Sequence, residues 1–157
     1  MFVEVRRALP AGRERFGFRL VHFSVQRDPL HLLAEAENRR ALSRGVQGLA
    51  VRVARAVNRR LRRRGRVFAD RYHARALKTP RAARWALRYV LLNVRKHEPG
   101  AVPSGFVDGC SSAAWFNGFA RVRYALDSPV VAPRTWLLTV GQERAGPFDV
   151  DDMPGGP

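Results

Sequence analysis

Tyr89 and Asn93 lie four residues apart in Pro80–His97, a stretch whose apolar residues recur at steps of three and four. At about 100° per residue the two side chains fall about 40° apart and one turn along a helix, off its apolar stripe. A phenol can attack phosphorus as a nucleophile, and an amide oxygen one turn away can help to hold a cation. Arg84, Arg88 and Lys96 on the same stretch can grip a phosphate through charge-assisted hydrogen bonds. A plainer reading fits the same spacing: an amphipathic tyrosine at the edge of a core and a solvated asparagine. Periodicity alone favours it. His31 is a second signal, since strand alternation puts it opposite Leu30 and Leu32. A metal site needs three or four ligands, and the chain has no HxH or HExxH pair. His22 belongs to the facing strand, His73 stands among arginines as a solvated or phosphate-facing residue, and Asp28 is a turn former or an oxygen ligand.

The elements that must position these residues follow from pattern. Phe18–Val25 and Leu30–Ala36 read as two strands of a β-hairpin around Gln26-Arg27-Asp28-Pro29. In the second strand Leu30, Leu32 and Ala34 share one face, and His31, Leu33 and Glu35 the other. Ala41–Arg63 is a helix by its stripe of Leu42, Val46, Leu49, Val53, Val57 and Leu61, with Gly65 as its expected cap. Val67–Leu77 is predicted as a third strand. Thr79-Pro80 is an N-cap followed by proline at the first helical position, so a second helix is expected over Pro80–His97. These elements make residues 1–97 a domain. Residues 98–157 form an irregular extension with two aromatic clusters, Trp115-Phe116 with Phe119 and Trp136-Leu137-Leu138. The clusters are expected to fold back on the core; base stacking on Trp115 or Trp136 is the sharper alternative. The tail from Asp151 to Pro157 is expected to be disordered.

Charge names the class of partner. The chain has 157 residues, 29 Lys+Arg and 13 Asp+Glu, for a net charge of +16. Arg39–Lys96 alone holds 19 basic residues against a single acid, Asp70. Because apolar residues are interleaved through this block, it reads as a folded surface, and a polyanion is its expected partner. Arg44, Arg52, Arg55, Arg59, Arg62, Arg63, Arg66, Arg71, Arg84 and Arg88 are the candidate nucleic-acid contacts. The lone Cys110 excludes an intramolecular disulfide framework. With no apolar run of bilayer length and no signal-peptide core, the expectation is a cytoplasmic protein that does not bind membranes.

Several separated motifs then resemble one family in order. They are His22-Phe23-Ser24-Val25-Gln26, Leu30-His31-Leu32-Leu33 with Glu35-Ala36, and Gly45-Val46-Gln47-Gly48-Leu49 with Asn58. Gly65–His73, Tyr89-Val90-Leu91-Leu92-Asn93, Ser111–Phe116 and Pro133–Leu138 continue the match, so that it spans most of residues 18–140. The chain resembles the single-tyrosine HUH transposases of bacteria, and among them the REP-associated tyrosine transposases. The resemblance implies an α+β fold, a ferredoxin-like βαββαβ core, that cuts and rejoins single-stranded or hairpin DNA. Carried over by position, Tyr89 would be the nucleophile, and His31 and Asn93 ligands of a divalent metal, Mg or Mn. The family's metal-binding motif would read His-Leu-His at 29 to 31, whereas this chain has Pro29-Leu30-His31. Proline carries no side-chain donor, so an incomplete metal site and impaired or lost nicking are expected. The match also begins after the family's first strand, so the expectation is a truncated core lacking that strand. A bacterial, nucleoid-associated protein is implied. The residues leave open whether it forms a homodimer and whether it is instead a non-catalytic binder of DNA or RNA.

Overall fold

A hairpin organises the chain. In a computed structural model that describes residues 2–26, 30–97, 100–119 and 127–154, β2 (Phe18–Val25) pairs antiparallel with β3 (Leu30–Ala36). A two-residue strand, β1 (Glu14–Arg15), pairs with the other edge of β2, giving the order β1-β2-β3. The turn between β2 and β3, with Asp28 and Pro29, lies outside the described residues. Register in the hairpin shifts once: Leu20 opposes Ala34 while His22 opposes Leu33, leaving Val21 as an extra residue. Such a bulge flips the phase of the strand. Phe23 therefore returns to the face of Phe18 and Leu20, and Val21 faces the opposite layer.

Each face of the sheet carries its own layer. On one, α1 (Phe2–Ala8) and α2 (Arg39–Arg60) bury Val5, Leu49, Val53 and Val57 against Phe18, Leu20 and Phe23. Gly45 makes this close approach possible, because a Cβ there would meet the Phe18 ring. On the other, α3 (Pro80–Leu91) packs Ala83, Leu87, Val90 and Leu91 onto Val21 and Leu33. Each fully buried leucine contributes about 1.5–3 kcal/mol. The fold is α+β.

The helix starts obey their caps. Asn38 Oδ1 accepts from the Ala41 amide at 2.9 Å and starts α2, two residues before the expected start at Ala41. Thr79 Oγ1 accepts from the Ala82 amide at 3.1 Å with Pro80 in the first turn, as expected. The helix ends differ from expectation. α2 stops at Arg60, short of Arg63, because beyond Val57 its stripe finds no cover and Leu61 stays 44% exposed. Arg62, with φ 50°, takes the left-handed cap position expected of Gly65. The Arg63 amide donates to the Asn58 carbonyl and the Arg62 amide to that of Arg59, which is a Schellman closure. The second helix is interrupted at Leu92, and Asn93–His97 forms a separate short helix, α4. In an unbroken helix Leu92 would point roughly opposite Ala83. The break lets Leu92 and Asn93 both be buried.

Val67–Leu77 takes no strand. A strand needs a ladder partner, and among the described residues nothing pairs with the outer edge of β3. The segment instead crosses between layers, with Val67 and Phe68 packed beside α2, Leu77 beside α3, and residues 69–76 exposed between them.

The C-terminal segment does fold back. Phe116, Phe119, Leu138, Phe148 and Val150 are buried in the α3 layer, while Trp136 remains 52% exposed. Leu137–Gly141 is a π turn that runs into a helical turn, α5 (Gln142–Arg144). The segment also occupies the free edge of β2: the Ser112 amide donates to the Phe23 carbonyl and the Val25 amide to that of Cys110. Asp151 and Asp152, expected in a disordered tail, are built into the structure. Asp151 accepts from the largely buried Arg95 at 2.6 Å, from Ser104 at 2.7 Å and from the Gly105 amide at 2.7 Å. A buried guanidinium needs a counter-charge, and sequence distance hid this one.

Candidate functional site

His31, Tyr89 and Asn93 come from a strand and two helices on the α3 side of the sheet; His31 touches Tyr89, and Asn93 reaches the hairpin at Ser24. Alternation along β3 aims His31 at α3, where its ring lies edge-on to Tyr89 with centroids 5.0 Å apart and planes at 84°. Lys96 Nζ sits 4.9 Å from the centre of the Tyr89 ring, a cation–π contact. Ser24 opposes His31 across the hairpin, and its hydroxyl accepts from Asn93 Nδ2 at 3.3 Å. Asn93 is 0% exposed, and its Oδ1 has no hydrogen-bond partner among the described residues. A buried carbonyl without a donor costs about 1–3 kcal/mol, so the break at Leu92 delivers an unsatisfied acceptor to the interior beside Ser24.

His31 and Asn93 Oδ1 are donors suited to a divalent ion. The other histidine position that the resemblance implies is Pro29, which has no donor atom in its side chain and lies outside the described residues. Among the described residues no group of three His, Cys, Asp or Glu side chains could hold a metal. Of the ligands the resemblance implies, the described residues supply two neutral donors, fewer than the roughly six that Mg or Mn takes. The chain's own chemistry at this point is a phenol, an imidazole and a carboxamide.

His22, the other imidazole of the hairpin, has a different place. It is buried, with Nδ1 3.0 Å from Ser112 Oγ and its ring edge-on to Phe116 at 5.5 Å. Burial lowers its pKa to about 3, so it stays neutral and packs the core. His73 is exposed on the crossing segment.

The candidate arginines divide into two sets. Arg44, Arg55, Arg59, Arg62, Arg63, Arg66 and Arg71 are exposed and Arg52 is half-buried, all on α2 or the segment after it. None of them pairs with a carboxylate among the described residues. Arg84 and Arg88, expected at a phosphate, are instead engaged by the chain's own C-terminal segment. Arg84 donates to the Pro147 carbonyl and lies over the Phe148 ring. Arg88 donates to the Met153 carbonyl at 2.5 Å, with Asp152 3.8 Å away. Burial, and then the charge of Arg88, lower the Arg84 pKa from its ordinary value, while Asp152 acts the other way.

Glu35 shares the strand face of His31 and Leu33 but is not among the expected site residues. It is a buried carboxylate that accepts from the Arg134 amide, from the Thr135 amide and hydroxyl, and from Arg19 Nε. Burial pushes its pKa up, but the donors of Thr135, Arg134 and Arg19 outweigh burial and hold it below the ordinary value. A carboxylate on the Leu33 face of a strand was the signal available in the sequence. No helix among the described residues is long and apolar enough to cross a membrane. Compared with protein-family models, curated proteins and solved structures, the chain finds no match.

Proposed function

We propose that this protein binds single-stranded or hairpin DNA, and that it is a relative of the single-tyrosine HUH transposases whose strand-nicking activity is impaired. The observation that carries this reading is the edge-on contact of His31 with Tyr89, with Asn93 bonded to Ser24, the residue that opposes His31 in the hairpin. These are the residues that the resemblance singles out, and they come from segments far apart in the chain. The arginines of α2, none of which pairs with a carboxylate among the described residues, supply the cationic surface that a phosphate backbone needs. In the implied reaction the phenol oxygen of Tyr89 forms a bond to phosphorus and gives up its proton. The 3′ oxygen leaves and takes up a proton, giving a 5′-phosphotyrosine and a free 3′-hydroxyl.

Binding is tested with hairpin DNA between 50 and 500 mM salt. Neutralising several phosphates weakens affinity by orders of magnitude over such a range; equal affinity at both ends would overturn the electrostatic mode. Nicking is tested with a labelled single strand and manganese. Little or no covalent adduct is expected from this chain, and an adduct is expected from Pro29→His that disappears when Tyr89→Phe is added. A folded Pro29→His protein that yields no adduct removes the nuclease part of the reading. The second reading is then favoured, a binder of DNA or RNA without catalysis, which the engagement of Arg84 and Arg88 by the C-terminal segment already supports.

A further inference from the structure

On the face of the sheet opposite Tyr89, one residue contradicts the usual economy of a turn. Phe16 and Gly17 form the two-residue loop between β1 and β2, and both have positive φ, 50° and 78°. This is the signature of a type I′ turn, where Asn-Gly is favoured because a bulky side chain at positive φ is strained. Phe16 accepts that strain and buries almost nothing in return: it is 69% exposed. A strained residue that contributes little to the core calls for an explanation outside the core.

Its surroundings supply one. The Arg15 and Arg44 guanidinium carbons lie 5.0 and 5.3 Å from the centre of the Phe16 ring. Beside the ring is an open groove of about 150 Å³, walled by Arg15, Phe16, Arg44 and Arg52 and floored by Gly12, Gly45 and Gly48. It adjoins a larger depression of about 380 Å³ along α2 that adds Gln47, Val51 and Arg55. Arg52 Nη1 donates to the Gly48 carbonyl at 3.0 Å. An exposed aromatic ring, guanidinium groups in contact with it and a groove lined by glycines are the parts of a single-strand site. One base stacks on the ring while the flanking phosphates meet arginine.

We propose that Phe16 is a stacking platform for one unpaired base of single-stranded DNA, with Arg44, Arg52 and Arg55 holding the adjoining phosphates along α2. The site lies in a different layer from Tyr89 and His31. The inference rests on the single-stranded DNA reading and adds to it where on the molecule the strand runs.

The turn makes the test selective, since Asn suits the backbone at this position better than Phe. Affinity of the full chain is measured by fluorescence anisotropy at 50 mM salt for a dT 12-mer, for an abasic strand of equal length and charge, and for a rU 12-mer. The wild type is expected to bind dT about tenfold more tightly than the abasic strand, within the range for one stacked base. Phe16→Asn should lose this preference while its thermal midpoint stays level or rises, and Phe16→Trp should keep the preference. Arg44→Gln should weaken both DNA strands alike and reduce the salt slope by about one. Binding of dT without preference over the abasic strand overturns the platform and leaves the DNA reading standing, as does a Phe16→Asn protein with wild-type preference. Failure to bind either DNA strand overturns both. Tighter binding of rU than dT overturns the assignment to DNA.

Discussion

Acid should unfold this protein through His22, and the size of the effect follows from where the ring sits. The imidazole is buried against Phe116 and bonded through Nδ1 to Ser112, with its pKa lowered to about 3. An unfolded chain returns it to about 6.5. Between these values the unfolded state binds a proton that the folded state refuses, so stability rises with pH across the window and is lost as pH falls. The linkage integral from pH 7 to pH 5 comes to about 2 kcal/mol. It changes little for any folded value at or below about 4, because by pH 5 the loss is set almost wholly by the unfolded side. For a chain of this length that corresponds to about 4–8 °C in midpoint.

Urea titrations followed by tryptophan fluorescence at pH 7, 6 and 5, at constant ionic strength, give the wild-type slope. His22→Asn supplies the reference, since an amide can replace Nδ1 against Ser112 Oγ and does not titrate. The variant will be less stable at pH 7 because the ring contact with Phe116 is gone, but its pH 7-to-5 loss should be smaller than the wild type's by about 2 kcal/mol. Equal losses in the two proteins would refute the assignment of a buried neutral imidazole. Repulsion within the basic surface grows in both proteins alike, so it cancels in the comparison.

Glu35→Gln is expected to cost about 2 kcal/mol at pH 7, because the carboxylate is buried and takes charge-assisted bonds from Arg19 and the Arg134–Thr135 backbone. Its pKa is held below the ordinary value, so this contribution is present above about pH 4.5 and disappears as pH falls; urea titrations of both proteins at pH 7 and pH 3.5 should show the gap narrowing. Gly45→Ala should destabilise by about 1–3 kcal/mol despite alanine's better helix propensity, since its Cβ would meet Phe18 Cγ at 2.1 Å. Gly48→Ala meets only the movable end of Arg52 at 3.2 Å and should be neutral or stabilising by up to about 1 kcal/mol, so equal thermal midpoints for the two variants would contradict the packing described for α2.

What could be read from the sequence was local. Alternation in Leu30–Ala36 put His31, Leu33 and Glu35 on one face, and that is the face on which α3 packs. Thr79-Pro80 marked the start of α3 because cap and proline act within one turn. The Val21 bulge left a trace, since apolar residues at 18, 20, 21 and 23 break strict alternation, but the trace does not say which residue is extra. The break at Leu92 had no local breaker to announce it; it is set by burial of Leu92 and by Ser24, far away in the chain. Strand propensity in Val67–Leu77 came to nothing without a neighbouring edge to pair with. The same limit concealed the partners of Arg84, Arg88 and Arg95, all contributed by residues 102–153.

That last set of contacts changes where the charge of the molecule is felt. Arg39–Lys96 reads as one continuous basic block, yet the fold divides it. The C-terminal segment directs backbone carbonyls, Asp151 and Asp152 to the guanidinium groups of Arg84, Arg88 and Arg95, and Glu14 and Glu35 take Arg19. α2 contains no acidic residue and receives no carboxylate among the described residues. Its arginines stand at i, i+3 and i, i+4 spacings, where like charges cost about 0.2–0.5 kcal/mol per pair until a counter-charge arrives. Among the described residues α2 therefore keeps its guanidinium groups free of carboxylates on the layer away from Tyr89. On the proposed reading a polyanion drawn to them meets Phe16 and α2 first. On the α3 side the guanidinium groups that a phosphate would need, Arg84 and Arg88, are already committed to the protein's own chain. Under the proposed reading, binding and strand cleavage draw on different layers of this fold, so Pro29→His should change the second and leave the first unaltered.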